Sequence, residues 1–180
     1  MATSLVITAI GADRPGIVNA VSDVAQRFGA NWAGSRMASL AGQFAGMVHF
    51  EVSAGQADAL AAALQELEST GLAIVIARTD PSPTTAARRA VRLELVGQDR
   101  PGIVRDLSGS LAHLGVSIDE LQTSVVSAAM SGERLFKVEA VLALPAALRT
   151  RELQAALENL ANEMMVDIEL AEDGAAATAP

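Results

Sequence analysis

Cysteine is absent from this 180-residue chain, tyrosine is absent too, and aromatic residues make up only 3% of it. The first absence excludes disulfide staples and thiol chemistry. The second means that any core must be packed from small aliphatic side chains, and a hydrophobic content of 51% supplies enough of them. Basic residues are scarce as well: 13 Lys and Arg face 21 Asp and Glu, for a formal net charge of −8. That balance argues against direct nucleic-acid binding, which needs clustered cations to neutralise phosphates. The one small basic cluster, Arg88, Arg89 and Arg92, reads as a solvated junction between domains. No apolar run approaches the ~20 residues of a membrane span. Nor does a basic region followed by a long apolar run open the chain, so no signal peptide and no membrane association are expected, and a cytoplasmic location is. His49 and His113 lack ligating neighbours at helical or hairpin spacing, which leaves no metal site in prospect. A phosphate loop, a dinucleotide fingerprint and a nucleophile elbow are all missing, so neither a cofactor nor an enzymatic activity is expected.

What is present is a word said twice. Gly11-Ala12-Asp13-Arg14-Pro15-Gly16-Ile17-Val18 returns as Gly97-Gln98-Asp99-Arg100-Pro101-Gly102-Ile103-Val104, identical except at the second position. Phe28-Gly29-Ala30-Asn31 aligns with Leu114-Gly115-Val116-Ser117 at the same spacing. A repeat of this length is a whole small domain used twice, not a solenoid unit.

Each half reads as strand, helix, strand, strand, helix, strand. Leu5 to Ile10 is a short buried strand, and Ile17, Val18, Val21, Val24, Ala25 and Phe28 trace one helix face. Ala30 to Ser39 alternates weakly, Ala41-Gly42 makes a turn, and Val48, Phe50 and Val52 alternate with polar neighbours. A helix over 56–68 and a strand over 72–77 complete the half. The second half repeats the order, with a longer hairpin loop at 127–132. The expected boundaries are a first domain at 1–79, a linker at 80–88 carrying Pro81 and Pro83, a second domain at 89–171, and a disordered tail at 172–180. The fold class expected is α+β: two ferredoxin-like βαββαβ units, each with an antiparallel four-stranded sheet and both helices on one face. The other face of each sheet then needs solvent or a partner. Val75, Val125 and Val141 are expected on it, and a homodimer is one way to cover it.

The strand-to-helix turns are where chemistry can gather. Asp13 and Asp99 stand at the expected N-cap positions, with Pro15 and Pro101 in the first turn. Gly16 and Gly102 let a ligand or another backbone come close. The first amides of a helix have no internal partner and carry the positive end of its dipole, so they can hold a carboxylate while the adjacent Asp meets an ammonium. That combination suits a free amino acid. It equally suits a well-capped helix that binds nothing. Arg14 and Arg100 read as solvated.

Placed between strand and helix of a βαββαβ unit, Asp-Arg-Pro-Gly-Ile-Val resembles the opening of an ACT domain, a regulatory module that senses small molecules, usually amino acids. With Gly29-Ala30-Asn31, Glu120-Leu121-Gln122-Thr123, Leu135-Phe136 and Leu144-Pro145, the layout over 3–171 is similar to the tandem-ACT glycine cleavage system transcriptional repressor family. Similar words open formyltetrahydrofolate deformylases, some phosphoserine phosphatases and uridylyl-removing enzymes, but two units in 180 residues leave no room for a catalytic domain. The resemblance implies ligand contacts from Gly11, Ala12, Asp13, Pro15, Gly16 and Ile17, with Asn31 opposite. In the second unit it implies Gly97, Gln98, Asp99, Pro101, Gly102 and Ile103, with Ser117 opposite. It further implies a small amino-acid effector such as glycine, and a protein partner such as a transcriptional activator. Ser117 in place of Asn31 sets the halves apart. An ACT-fold scaffold that senses nothing is the competing expectation.

Overall fold

The computed structural model describes residues 2–79, 88–127 and 132–172. Contacts divide the chain into two compact units, Met1–Pro83 and Thr84–Pro180. Unit 1 runs β1 (Ala2–Ala12), α1 (Ile17–Arg27), β2 (Asn31–Leu40), β3 (Gln43–Ser53), α2 (Ala57–Gln65), a 3-10 turn (Glu66–Thr70) and β4 (Leu72–Thr79). Unit 2 runs β5 (Arg89–Gln98), α3 (Ile103–His113), β6 (Ser117–Ser127), β7 (Arg134–Leu144), α4 (Thr150–Met164) and β8 (Val166–Glu172). Each sheet has four strands, ordered β2-β3-β1-β4 and β6-β7-β5-β8. This is the α+β, ferredoxin-like arrangement expected, made twice. The expected linker, save for Arg88, most of the 127–132 loop and the tail beyond Glu172 lie outside the described residues.

Alternation decides which face is covered. In β1 Leu5, Ile7 and Ala9 are buried, and so are Val48, Phe50 and Val52 in β3. They meet Val21, Val24 and Ala25 of α1 and Leu60 and Leu64 of α2. Unit 2 builds the same layer from Leu93, Leu95, Val138 and Leu142 against Leu107, Leu111, Leu153 and Leu157. No polar or charged side chain is buried among the described residues, so these are wholly apolar cores.

The weak alternation of β2 has a structural cause. A register shift falls between Trp32 and Gly34, and its twin falls between Ile118 and Glu120. One extra residue in the strand reverses which side chains face inward. Ala41 and Gly42 both have positive φ, 50° and 78°, the geometry of a two-residue hairpin turn. Val18 and Val104, placed on helix core faces from their spacing, are instead exposed. Each directly follows a buried residue, Ile17 or Ile103, and so points about 100° away from the core around the same turn. Among the described residues, no helix is long and apolar enough to cross a membrane.

The helix-free faces of the two sheets differ. In unit 1 the face carries Val6, Ile10, Ala45, Met47, Ala73 and Val75, with Thr8 and His49 among them and with Arg36 and Glu51 as its charged residues. In unit 2 it carries Arg92, Glu94, Glu120, Lys137, Glu139, Asp167 and Glu169 around Val96 and Val141. Val125 does not belong to it: its cross-strand partner is Phe136, which packs into the core on the helix side.

Candidate functional site

Both repeated words form the same turn, and four features shape it. The first is a close approach. A Cβ on Gly11 would lie 2.7 Å from the Gly71 carbonyl oxygen, and one on Gly97 would lie 2.3 Å from Val166 Cγ1. Glycine is required there because the last strand begins against it. The second is a backbone tie: the Asp13 N–H donates to the Gly42 carbonyl at 2.9 Å, and the Asp99 N–H to the Arg134 carbonyl at 3.0 Å. Each turn is thereby fastened to the neighbouring hairpin.

The third feature is one that sequence reasoning missed. Arg14 donates from Nη2 to the Thr70 carbonyl at 3.0 Å, and Arg100 does the same to the Met164 carbonyl at 3.2 Å. Thr70 and Met164 close the helical segments that lead into β4 and β8. Carbonyls at helix ends lack internal donors, and a cation there also complements the dipole. Both arginines are exposed, as expected, and each also serves as a structural tie. The signal was their exact recurrence with the rest of the word.

The fourth feature corrects the expected capping. The residue before each helix is Gly16 or Gly102, with φ of 93° and 102°, and neither helix has a side-chain cap. Asp13 and Asp99 lie too far back to cap, because Pro15-Gly16 and Pro101-Gly102 turn the chain before the helix begins. The left-handed conformation of these glycines is what the motif's second glycine supplies. The first helical bonds run from Ala20 N–H to Gly16 and from Asp106 N–H to Gly102. That leaves the amides of residues 17–19 and 103–105 without an intrahelical acceptor.

In their surroundings the two turns diverge. Asp99 forms an ion pair with Arg134 at 3.1 Å. Asp106, in the first turn of α3, brings its Oδ2 within 3.7 Å of the point where a Gly102 Cβ would stand. Unit 2 thus sets a carboxylate of its own beside its helix N-terminus. In unit 1 the residue equivalent to Asp106 is Ala20, and α1 has no acidic residue in its first turn. The Asp13 carboxylate has no hydrogen bond or ion pair among the described residues.

The expected partners of the turns stand elsewhere in their units. Asn31 pairs across β3 with Glu51, which aligns with Ser4 of β1. Seven residues separate Ser4 from Gly11, about 24 Å along a strand. Asn31 Nδ2 donates to Glu51 Oε2 at 3.2 Å. Ser117 is likewise level with Ala90, at the far end of β5 from Gly97, and its hydroxyl accepts from Arg88 at 2.9 Å. Within each unit the structure brings together the turn residues 11–17 and 97–103, but neither Asn31 nor Ser117 joins them.

A groove of about 560 Å³ runs between α3 and α4, lined by Arg100, Arg105, Asp106, Ser110, His113, Leu160 and Glu163, among others. His113 Nδ1 lies 2.7 Å from the Gly109 carbonyl, so that nitrogen is the donor. Two arginines face two carboxylates here, and the groove favours no charge. Among the described residues, no group of three or more His, Cys, Asp or Glu is placed to hold a metal ion.

Comparison with known proteins adds the family. The model of the ACT domain matches residues 3–76 and 91–171. Among solved structures, an unknown protein from Galdieria sulphuraria is 33% identical, with a TM-score of 0.86 over 97% of this chain and 100% of that one. A protein named as a candidate glycine cleavage system transcriptional repressor is 22% identical, with a TM-score of 0.70 over 95% of this chain and 97% of that one. At that identity the likeness is one of fold. No curated protein matches the chain.

Proposed function

The chain belongs to the ACT-domain family, and from that premise we propose that it is an amino-acid-responsive regulatory protein whose sensing turn is the one in unit 1. ACT domains are regulatory modules, and nothing about the turn residues calls for bond chemistry. The observation that carries the reading is the combination, within one turn, of helix amides at Ile17 and Val18 and a carboxylate at Asp13 that have no hydrogen-bond or ion-pair partner among the described residues. The amides and the helix dipole attract the carboxylate of a ligand. Asp13 attracts its ammonium. Gly11, Ala12, Pro15 and Gly16 shape the turn, and nothing lies within 4 Å of where a Gly16 Cβ would stand. A small amino acid fits this division of charge, and glycine is the first to test, given the name carried by the similar structure.

The equivalent residues of unit 2, Gly97, Gln98, Asp99, Pro101, Gly102 and Ile103, make the same backbone turn, but Asp99 is engaged by Arg134 and the helix end is faced by Asp106. That observation favours a second, non-sensing role for unit 2 as an interaction module. With its net charge of −8, the protein acts in the cytoplasm through contacts with another protein, such as a transcriptional activator, and not through nucleic acid.

Thermal unfolding against a panel of amino acids that includes glycine and serine tests the reading. A ligand bound only by the folded state stabilises it by ~2.7 kcal/mol at a hundredfold excess over its dissociation constant. The expected result is a concentration-dependent rise for one small amino acid that is lost in Asp13→Ala and kept in Asp99→Ala. A flat panel would move the protein to the scaffold class.

A further inference from the structure

We propose that the helix-free sheet face of unit 1 is the contact surface of a homodimer, with the same face of a second copy of this chain as its occupant. The face is apolar where the equivalent face of unit 2 is charged. Ile10, Met47 and Val75 are 48, 52 and 66% exposed and sit on three adjacent strands, β1, β3 and β4. Register makes them one patch: Thr8 lies between Met47 and Val75, and Ile10 lies between Ala45 and Ala73. Alanines at 45, 73 and 77 fill in much of the rest, and His49, half-buried and level with Val6, is a polar side chain within the face.

Charge selects the occupant. The chain carries a net charge of −8, so two copies repel over most of their surface. This face holds one Arg and one Glu, and both lie at its margin. Arg36 is on the edge strand β2, where a long side chain can keep its head in water. Glu51 is at the far end of β3, level with Ser4. An apolar centre with a polar rim is the anatomy of a protein interface. Two such faces meet without setting like charges against each other. An occupant resembling the unit 2 sheet would have to desolvate five carboxylates. Symmetric self-association about a two-fold axis is also the commonest form of soluble assembly.

Area agrees. Four strands about 4.8 Å apart and about 30 Å long project roughly 600 Å². The accessible surface of a corrugated face exceeds its projection, and a standard interface needs about 800 Å² per partner. The face is thus large enough for a reversible dimer formed by sheet-on-sheet packing.

Sedimentation velocity across the micromolar range tests this, with circular dichroism to confirm folding. The intact protein is expected at the mass of two chains. Val75→Lys and, separately, Met47→Lys put a cation at exposed strand positions and should give folded single chains. Glu139→Ala on the unit 2 face should leave the two-chain mass unchanged. A single-chain mass for the intact protein, or a two-chain mass that survives both lysine variants, would overturn the proposal. This test is independent of ligand binding, so it stands or falls apart from the sensing role.

Discussion

Unit 1 and unit 2 share a turn down to its hydrogen bonds and differ in what surrounds it. In unit 1 the helix end and the aspartate have no side-chain partner among the described residues; in unit 2 Asp106 lies beside the helix end and Arg134 pairs with the aspartate. The sheet faces diverge in parallel, apolar in unit 1 and charged in unit 2. On the reading proposed above, duplication has kept the fold and split the tasks. One unit leaves an apolar sheet face and its turn aspartate exposed, and the other pairs its turn aspartate with Arg134 and has a charged sheet face. The shared motif therefore marks shared architecture, while the unshared neighbours are where the proposed functions diverge.

The largest expected effect probes what the turns share. Gly11→Ala drives a methyl against a backbone oxygen, and Gly97→Ala drives one against the Val166 side chain. Each should cost about 2–3 kcal/mol in denaturant unfolding. The units then part. Adding Val166→Ala to Gly97→Ala removes the obstructing Cγ1, and the double variant should be more stable than the sum of the single changes. Adding Leu72→Ala to Gly11→Ala leaves the carbonyl in place and should rescue nothing.

Next comes recognition. Asp13→Asn should weaken binding of the responsive amino acid roughly 10- to 100-fold, the loss of one charge-assisted hydrogen bond, while Asp99→Asn leaves the affinity unchanged in calorimetric titration. The converse sharpens the comparison: Asp106→Ala with Arg134→Ala should open the second turn and raise the stoichiometry from one ligand per chain to two.

The arginine ties rank third. Arg14→Met and Arg100→Met each give up a hydrogen bond to a helix-end carbonyl, and each should lower stability by about 1 kcal/mol. Hydrogen exchange should quicken at the Gly71–Leu72 junction in the first variant and at Met165–Val166 in the second.

The smallest effect lies on the unit 2 sheet face. The Glu139 carboxylate hydrogen-bonds Lys137 and adds its charge, Glu94 adds its own from 3.8 Å, and together they hold the ammonium above its ordinary range. A raised lysine contributes stability that is present below its unfolded pKa and is lost as pH climbs through the folded value. The pair is exposed, so Lys137→Met should barely move the melting temperature at neutral pH.

Much of this was legible in the chain. The recurrence of Asp-Arg-Pro-Gly-Ile-Val and the alternation of Val48, Phe50 and Val52 led directly to two βαββαβ units and their cores. The helix entry was misplaced because Asp before Pro looks like a cap, while the left-handed turn at Gly16 inserts residues that spacing alone does not reveal. Val125 was assigned the wrong face because the register shift near Ala33 and Asp119 reverses strand parity, and a bulge leaves no composition signal. Asn31 and Ser117 were grouped with the turns by family position, yet a parallel crossover returns the chain to the opposite end of the sheet. Asp106 and Arg134 were hidden for another reason. They are departures from the repeat, and only the folded chain brings both beside it.

The central claim, that one turn is open and the other is filled from within, is tested most directly by amide chemical shifts during titration with each amino acid of the panel. The account predicts that the responsive amino acid moves the Ile17 and Val18 amides while those of Ile103 and Val104 stay in place. Equal movement at both turns, or movement at Ile103 and Val104 alone, would contradict it.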